Sequence, residues 1–395
     1  MKTRNLLFLY IMELCAGLAR GSYLVCIGWT ALIVSGDVAA VGQVFIVAMV
    51  ANIIAGPFVG IIVDRYNRKH LTVCAHLGIA AVLTLLGIAL AYDAGLSIFW
   101  FFVTVVFVNA FRLIYQGSHD GLIHANVSAN DLVHAVARFR GLHLLATAVG
   151  TVLTGTIIET TSPTAGFLFS ATASLILIVS VSFVKGVITK DNAAGVAGFV
   201  RDFSEGLILF REKPDLRVLA LLAGIALPVG QLSNAILSSF VRDDLGRGSD
   251  AFGFVDAAWP VGGMLAAAIL SLGLRQLSVA NMEYVFAMLA GLTTIVFSMM
   301  TSIVPLAITH AALGFFVWMC RIVIDGRILQ ICTAQTVGRT RVFIDMMFSF
   351  SAMLMSLSPT LVKLPSTSGY FLFWGVIIFI CAGALWFVQS VRKVS

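Results

Sequence analysis

Two arginines lie inside strongly apolar segments and share a local pattern. In FVNAFRLIYQG (residues 107–117), Arg112 follows Phe-Val, and Gln116 and a glycine come four and five residues later. In FVWMCRIVIDG (residues 316–326), Arg321 takes the same place and Asp325 replaces the glutamine. A charge inside a membrane is costly and marks solute pathways, proton relays or gates. The pattern therefore predicts two matching halves, each with an arginine near a central cavity for gating or for substrate and proton coupling.

The first apolar segment also carries polar residues, Glu13, Arg20 and Tyr23. Arg20 lies near the middle of its segment, too deep to reach the headgroups easily. Glu13 and Arg20 are seven residues apart, so they share a helix face but lie about 10 Å apart along the axis. Each therefore needs another partner or water. Glu13 and Asp325 are candidate proton carriers because a low dielectric favours the neutral carboxyl group, and Asp256 is a weaker one.

Other polar residues accompany these charges. Gln231 and Asn234 follow Pro228, where a helix is expected to bend. Two simpler interpretations stay open: Arg321 and Asp325 can form a structural pair four residues apart, and Arg112 can reach toward headgroups or Asp120. The predicted substrate or proton-coupling residues are Glu13, Arg20, Tyr23, Asn109, Arg112, Gln116, Gln231, Asn234, Arg321 and Asp325.

Four histidines, His119, His124, His134 and His143, lie close together in the sequence. We interpret them as solvated or helix-end residues, since no carboxylate or thiolate joins them at metal-ligand spacing. None of the six cysteines forms a CxxC pair, so neither a disulfide framework nor a zinc site is expected. The sequence predicts no metal and no cofactor.

The composition indicates that these polar side chains lie in membrane-spanning segments. The chain has 395 residues, 59% of them hydrophobic and only 11% charged, and its mean hydropathy is +1.00. A soluble domain carries about 25% charged residues. Apolar runs long enough to cross roughly 30 Å of hydrocarbon recur along the chain, and they lack the alternation of barrel strands. We predict twelve spans, near residues 6–33, 40–63, 71–92, 97–121, 140–159, 165–185, 216–240, 251–273, 281–301, 304–328, 342–362 and 369–390.

Basic residues set the orientation. If the N-terminus is cytoplasmic, most of the 25 basic residues fall in cytoplasmic loops, and the outer loops hold only Arg242, Arg247 and Lys363, as the positive-inside rule predicts. This asymmetry explains the basic pI without nucleic acid as a partner. The longest loop divides the chain into bundles at 1–185 and 216–395, joined by a linker (186–215) in which residues 198–214 predict an amphipathic surface helix ended by Pro214.

The loop between the second and third runs carries the most specific motif. GIIVDRYNRK (residues 60–69, the gate loop) contains Gly60, Asp64, Arg65, Arg68 and Lys69. We expect Gly60 to permit close helix approach, Asp64 to accept bonds from a neighbouring helix N-terminus, and the three basic residues to hold the loop in the cytoplasm. The motif resembles the loop signature of the major facilitator superfamily.

That resemblance implies an all-α integral membrane fold of twelve helices in two pseudo-symmetric six-helix bundles. It also implies alternating access, a cavity lined by helices one, four, seven and ten, and a gate loop that latches near Arg341 and Asp345. The layout is similar to the bacterial exporters that include the enterobactin exporter and related siderophore and drug efflux proteins. AVGTVLTG keeps Gly150 and Gly155 of the antiporter motif but has Thr151 and Thr154 where proline and glycine are usual, which weakens obligatory antiport.

The sequence therefore predicts a proton-coupled exporter of a small organic solute, a siderophore or similar anion, acting as a monomer in the bacterial inner membrane with both termini cytoplasmic. Multidrug efflux, import of a siderophore or other metabolite, and a membrane protein without transport remain alternatives. The chain has no nucleophile elbow and no phosphate-binding loop, so it is predicted not to be an enzyme or an ATP-driven pump.

Overall fold

The structure is a computed structural model that describes residues 3–92, 96–127, 132–184, 213–271, 281–332 and 337–394. These residues are helical apart from short connections. The helices are α1 (Thr3–Ser35), α2 (Val38–Arg65), α3 (Arg68–Tyr92), α4 (Phe99–Asn126), α5 (Leu132–Thr160), α6 (Pro163–Ser182), α7 (Pro214–Ala226), α8 (Val229–Ser239), α9 (Ser249–Ser271), α10 (Met282–Ser298), α11 (Ile303–Ile331), α12 (Val337–Leu361) and α13 (Ser368–Val394).

The spans match the prediction of an all-α integral membrane protein. Within the described residues, eleven segments are long and apolar enough to cross a membrane, and one of them, Pro214–Asp244, combines α7, α8 and a π-helical turn. The ninth predicted run is the shorter apolar helix α10, Met282–Ser298. The fold class is confirmed, and eleven spans plus α10 are consistent with the predicted twelve.

Local sequence signals explain several helix boundaries. Asp37 ends the tight turn that Gly36 forms at φ +66°, and its Oδ1 accepts a bond from the backbone N of Ala39 at 2.9 Å to begin α2. Pro228 separates α7 from α8, at the predicted bend. Pro214 begins α7, because proline is favoured in a first helical turn. The rest of the predicted amphipathic helix (198–214) lies almost wholly outside the described residues.

The chain divides into two compact units. The first combines Met1–Val196 with Arg247–Ala257, and the second combines Ala197–Gly246 with Ala258–Ser395. In the first unit, α1 packs against α5 and α6, and α3 packs against α4 and α6. In the second, α10 packs against α11 and α13. The predicted bundle boundaries at 185 and 216 stay a prediction.

Glycines bring α1 and α5 unusually close. A Cβ atom at Gly17 would lie 2.5 Å from the backbone O of His143, and one at Gly150 would lie 2.6 Å from the backbone O of Leu18. Side chains at either position would therefore force the two helices apart. This backbone contact sets Glu13, one turn before Gly17, beside α5.

Candidate functional site

A cavity of about 270 Å³ lies within the first unit and is lined by α1, α3, α4, α5 and α6. Of the residues predicted for substrate or proton coupling, the cavity brings together Glu13, Arg20, Tyr23, Arg112 and Gln116. Its other polar lining residues, absent from that predicted set, are His76, Tyr115, His119, Arg140, His143 and Ser174.

Glu13 is held between two histidines. Its side chain is only 5% exposed, its Oε1 contacts Nε2 of His119, and its Oε2 lies 3.2 Å from Nδ1 of His143. The interpretation of these two histidines as solvated or helix-end residues is therefore wrong for His119, which is buried, and incomplete for His143, which is partly exposed. The error has a physical cause: the carboxylate comes from α1, more than a hundred residues away in sequence.

Arg112 contacts a neutral partner. Its Nη2 donates to Oδ1 of Asn109 at 3.3 Å. Asn109 in turn donates from Nδ2 to the backbone O of Val105 at 2.7 Å and to the hydroxyl of Tyr23 at 3.4 Å. Nε of Arg112 is buried, and no atom of the described residues bonds it. The amide of Asn109, itself bonded to the phenol of Tyr23, therefore positions this guanidinium without neutralising its charge. The predicted contact of Arg112 with Asp120 stays a prediction, because the Asp120 side chain is not among the described ones.

Arg20 has an aromatic and a distant acidic neighbour. Its Cζ lies 5.6 Å from the ring centroid of Tyr23, within the range of a cation–π contact. Its charge also interacts with that of Asp256 in the first turns of α9, a buried residue. Arg112 and Arg20 repel each other. The side chain is thus held deep in the unit, as its position in the first apolar run predicts.

The cavity is lined by more basic than acidic side chains in the part of the chain that the structure describes. Arg20 and Arg112 line it from α1 and α4, and the carboxylate among the described lining residues is Glu13, which already contacts two histidines. Guanidinium groups in a low-dielectric setting bind carboxylates, catecholates and phosphates well. The cavity can therefore accept a small anion, and its buried carboxylate can exchange a proton with neighbouring imidazoles.

The repeat-related arginine of the second unit is paired with acids. Nε of Arg321 lies 3.9 Å from Oδ2 of Asp325, and its Nη2 lies 3.7 Å from Oδ1 of Asp345. These three residues and Arg341 line a smaller cavity of about 220 Å³. The side chains of Arg321, Asp325 and Asp345 are 42%, 40% and 64% exposed. Water therefore screens these long ion pairs.

The remaining predicted residues of the second unit bond each other. Nδ2 of Asn234 donates to Oε1 of Gln231 at 3.1 Å, within the first turns of α8. Neither residue is among those that line the two cavities just described. The structure thus places the predicted coupling residues of this unit in two groups.

The gate loop is anchored to α4 and α6. Oδ1 of Asn67 accepts a bond from the backbone N of Lys69 at 2.9 Å and so begins α3, while Nζ of Lys69 donates to the backbone O of Ser182 at 2.5 Å. Arg68 lies against Gly121, where any Cβ atom would overlap its guanidinium. Arg65 is exposed, and the side chain of Asp64 lies outside the described residues.

The close approach expected at Gly60 is not found. A Cβ atom there would have no neighbouring atom within 4 Å in the described part of the chain. Close contact occurs instead on α4, where a Cβ at Gly117 would lie 3.1 Å from Cγ2 of Val63. The glycines of α4, not that of the gate loop itself, let the loop and the end of α2 lie close to the neighbouring helix.

One sequence signal could have identified His119. Arg112 and His119 are seven residues apart on α4, which places both on one face of the helix, and Tyr115 lies between them on that face. His143 and His76 offered no comparable signal, because each belongs to the site only through packing against other helices.

Comparison with known proteins identifies the family. The profile of the Major Facilitator Superfamily matches residues 9–354. No curated protein sequence matches the chain. Among solved structures, the nucleoside transporter NupG is similar at 14% identity and a TM-score of 0.74, covering 98% of both chains; a variant of it gives a TM-score of 0.75 over 96% of this chain and 98% of that one. An auto-inhibited POT family peptide transporter is similar at 12% identity and a TM-score of 0.73, covering 98% of this chain and 97% of the other. These likenesses show the fold alone.

Proposed function

The chain belongs to the Major Facilitator Superfamily of membrane transporters, and we propose that it exports a small organic anion by alternating access, in exchange for protons. One observation carries the proposal: Arg112 is partly buried, lines the cavity, and hydrogen-bonds only a neutral amide among the described residues. A partly buried guanidinium with no acidic partner in that part of the chain can bind an anion strongly. An anionic solute would supply the missing charge.

Proton coupling is supported by the arrangement around Glu13. A carboxylate that contacts two imidazoles can hold a proton in more than one place, because each of the three groups can carry it. His143 is partly exposed, with 26% of its side chain accessible, whereas Glu13 is almost fully buried. The pair therefore joins an accessible group to a buried one, as a transported proton requires.

The cargo we propose is a siderophore or a similar anionic metabolite. Arg20 and Arg112, which line the cavity and are partly buried, favour an anion over the cationic drugs that many efflux pumps carry. We further propose that the protein acts as a monomer in a bacterial inner membrane, with both termini in the cytoplasm. The support for this orientation is the excess of basic residues in the loops assigned to that side.

The test compares the small molecules inside and outside native host cells, with and without the gene, during iron starvation. Mass spectrometry of cells and medium should reveal an anion that accumulates in the deletion strain and is depleted from its medium. Complementation with the parent chain should restore export, and complementation with Arg112→Met should not. Exposed Arg217 offers a matched control, and Arg217→Met should restore export fully.

Each other result has a definite meaning. An anion that is depleted from the cells of the deletion strain and left in its medium would show import. Identical strains would rule out siderophore export and favour drug efflux or a membrane protein without transport. Full complementation by Arg112→Met would contradict the anion proposal, because it would show that export does not need this guanidinium.

A further inference from the structure

A third histidine, His76 on α3, lines the same cavity. It is 3% exposed, and neither of its ring nitrogens has a hydrogen-bond partner among the described residues. Buried polar atoms of folded proteins are nearly always bonded, and each one left unbonded destabilises the fold. A ring nitrogen that is buried, unpaired and beside a cavity is therefore suited to a ligand.

The packing of His76 does not by itself require a histidine. Its ring meets Tyr115 edge to face, with centroids 4.6 Å apart and planes at 83°. A phenylalanine could make the same contact and would leave no polar atom unsatisfied. Histidine differs from phenylalanine here by its two ring nitrogens. Any role specific to histidine therefore depends on a hydrogen bond from these nitrogens to a group in the cavity.

A second unpaired group lies beside the cavity on a different helix. Ser174 on α6 is fully buried and is one of the residues around the cavity, and within the described structure its Oγ has no partner. His76 and Ser174 thus border the same cavity from α3 and α6, two helices that pack against each other. Arg112, whose Nε is also unpaired, belongs to α4.

The chemistry of these groups specifies a solute. A neutral imidazole donates through one nitrogen and accepts through the other, and a serine hydroxyl does both. A hydroxyl group on the solute, which both donates and accepts, can therefore bond either residue. The cavity of about 270 Å³ has room for a small organic solute. Apolar side chains such as Ala16, Ala19 and Ile79 form other parts of its wall.

We infer that His76 and Ser174 bind a hydroxyl group of the transported solute while Arg112 binds its acidic group, so that the substrate is a small hydroxylated organic acid. The inference rests on the proposed function, because it assumes that the anion occupies this cavity. It extends the binding site from α1 and α4 to α3 and α6, and it makes His76 a determinant of specificity.

The test measures binding to the purified full chain in detergent by isothermal titration calorimetry. The probes are benzoate and its three monohydroxy isomers, which share the acid group and differ by one hydroxyl. We expect at least one isomer to bind the parent about tenfold more tightly than benzoate, as a well-formed hydrogen bond to a buried group allows. In His76→Phe, which keeps an aromatic ring against Tyr115, this advantage should disappear while the affinity for benzoate stays unchanged.

A matched control lies on the same helix. His70 is exposed and outside the cavity lining, so His70→Phe should keep the tenfold preference. Ser174→Ala should reduce it in part. Arg112→Met should weaken the binding of all four acids equally, because it removes the group that contacts their common carboxylate.

The outcomes separate the two proposals. Equal binding of benzoate and all three isomers to the parent would overturn the hydroxyl site but keep an anion site, and so would an undiminished preference in His76→Phe. Failure of every acid to bind the parent would overturn the proposed substrate class, whereas anion export would still be judged by the metabolite comparison. If His76→Phe does not fold, two other results decide whether the hydroxyl site exists. These are the parent's ratio of affinities for the hydroxybenzoates and benzoate, and the reduction of that ratio in Ser174→Ala.

Discussion

The same eleven-residue pattern gives two different environments in the two units. In the first unit, the guanidinium of Arg112 is bonded to the neutral Asn109, and its Nε is buried without a partner among the described residues. In the second, Arg321 lies near the carboxylates of Asp325 and Asp345 and is 42% exposed. Among the described residues, Arg112 has no acidic partner, whereas Arg321 has two.

This difference shows that related positions need not have related roles. A charge that retains water and acidic neighbours gains little from a further partner. A charge that is less exposed and has no acidic partner among the described residues gains more from an anionic solute. Solute recognition by Arg112 is part of our proposal, whereas Arg321 lies in a solvent-accessible ion-pair network.

The largest expected effect follows from removing each arginine in turn. Breaking a desolvated charge contact costs about 2–5 kcal/mol, so Arg112→Met should lower the export rate by about 100-fold. Arg321→Met should leave it within about fivefold of the parent. The measurement is export of the identified anion from preloaded cells at equal protein amounts. Equal losses in the two variants would show that the two arginines have equivalent roles.

A smaller effect concerns the two candidate proton carriers. Glu13→Gln removes the group that contacts His119 and His143, and a glutamine has no proton to exchange. We expect export driven by a proton gradient to fall, because a glutamine cannot bind and release the coupled proton, while exchange of labelled for unlabelled anion continues without a gradient. Asp325→Asn is the matched control and should change neither rate. A parallel loss of both rates in Glu13→Gln would assign Glu13 to solute binding or structure instead.

Gly117 and Gly326 end the two arginine-containing segments, and replacing each by alanine compares the two units by their effect on thermal stability. A Cβ atom at Gly326 would meet no described atom within 4 Å, whereas one at Gly117 would press on Val63 at 3.1 Å. Alanine is favoured over glycine inside a helix by about 1 kcal/mol. Gly326→Ala should therefore raise the Tm in detergent, and Gly117→Ala should leave it unchanged or lower. A higher Tm for both variants would mean that Val63 moves aside freely.

The smallest expected effect concerns the ion pairs of the second unit. Asp345→Asn removes one acidic neighbour of Arg321, and exposed pairs of this kind contribute about 0–1 kcal/mol. We expect a change in the free energy of unfolding of less than about 1 kcal/mol, measured by denaturation in detergent. Glu13→Gln, measured beside it, should destabilise the protein more, because Glu13 is buried. A larger loss in Asp345→Asn than in Glu13→Gln would reverse our ranking of the two sites.

Much of the fold was predictable because it depends on local properties. Run length and hydropathy located the spans, and Pro228 marked the break between α7 and α8. The role of Gly60 was not predictable, since close approach depends on which helix lies opposite. The structure locates that contact at Gly117 and Gly121 instead.

Part of the candidate site was equally predictable. Charged residues in apolar runs are conspicuous, so Glu13, Arg20 and Arg112 could be identified from sequence. His76 and His143 gave no sequence signal, because a histidine's role depends on its neighbours, and the spacing of His119 from Arg112 was its one signal. Those neighbours come from helices that are distant in the chain.

The sequence by itself determined that this protein spans a membrane, that it carries charges within its spans, and that its gate loop resembles that of one transporter superfamily. These features follow from composition and short-range spacing. Only the tertiary structure decided that Glu13 contacts two histidines, that Arg112 lacks an acidic partner among the described residues while Arg321 has two, and that His76 and Ser174 lie unpaired beside one cavity. The reason is that compensation of charge and satisfaction of hydrogen bonds depend on distances between helices, which packing alone sets.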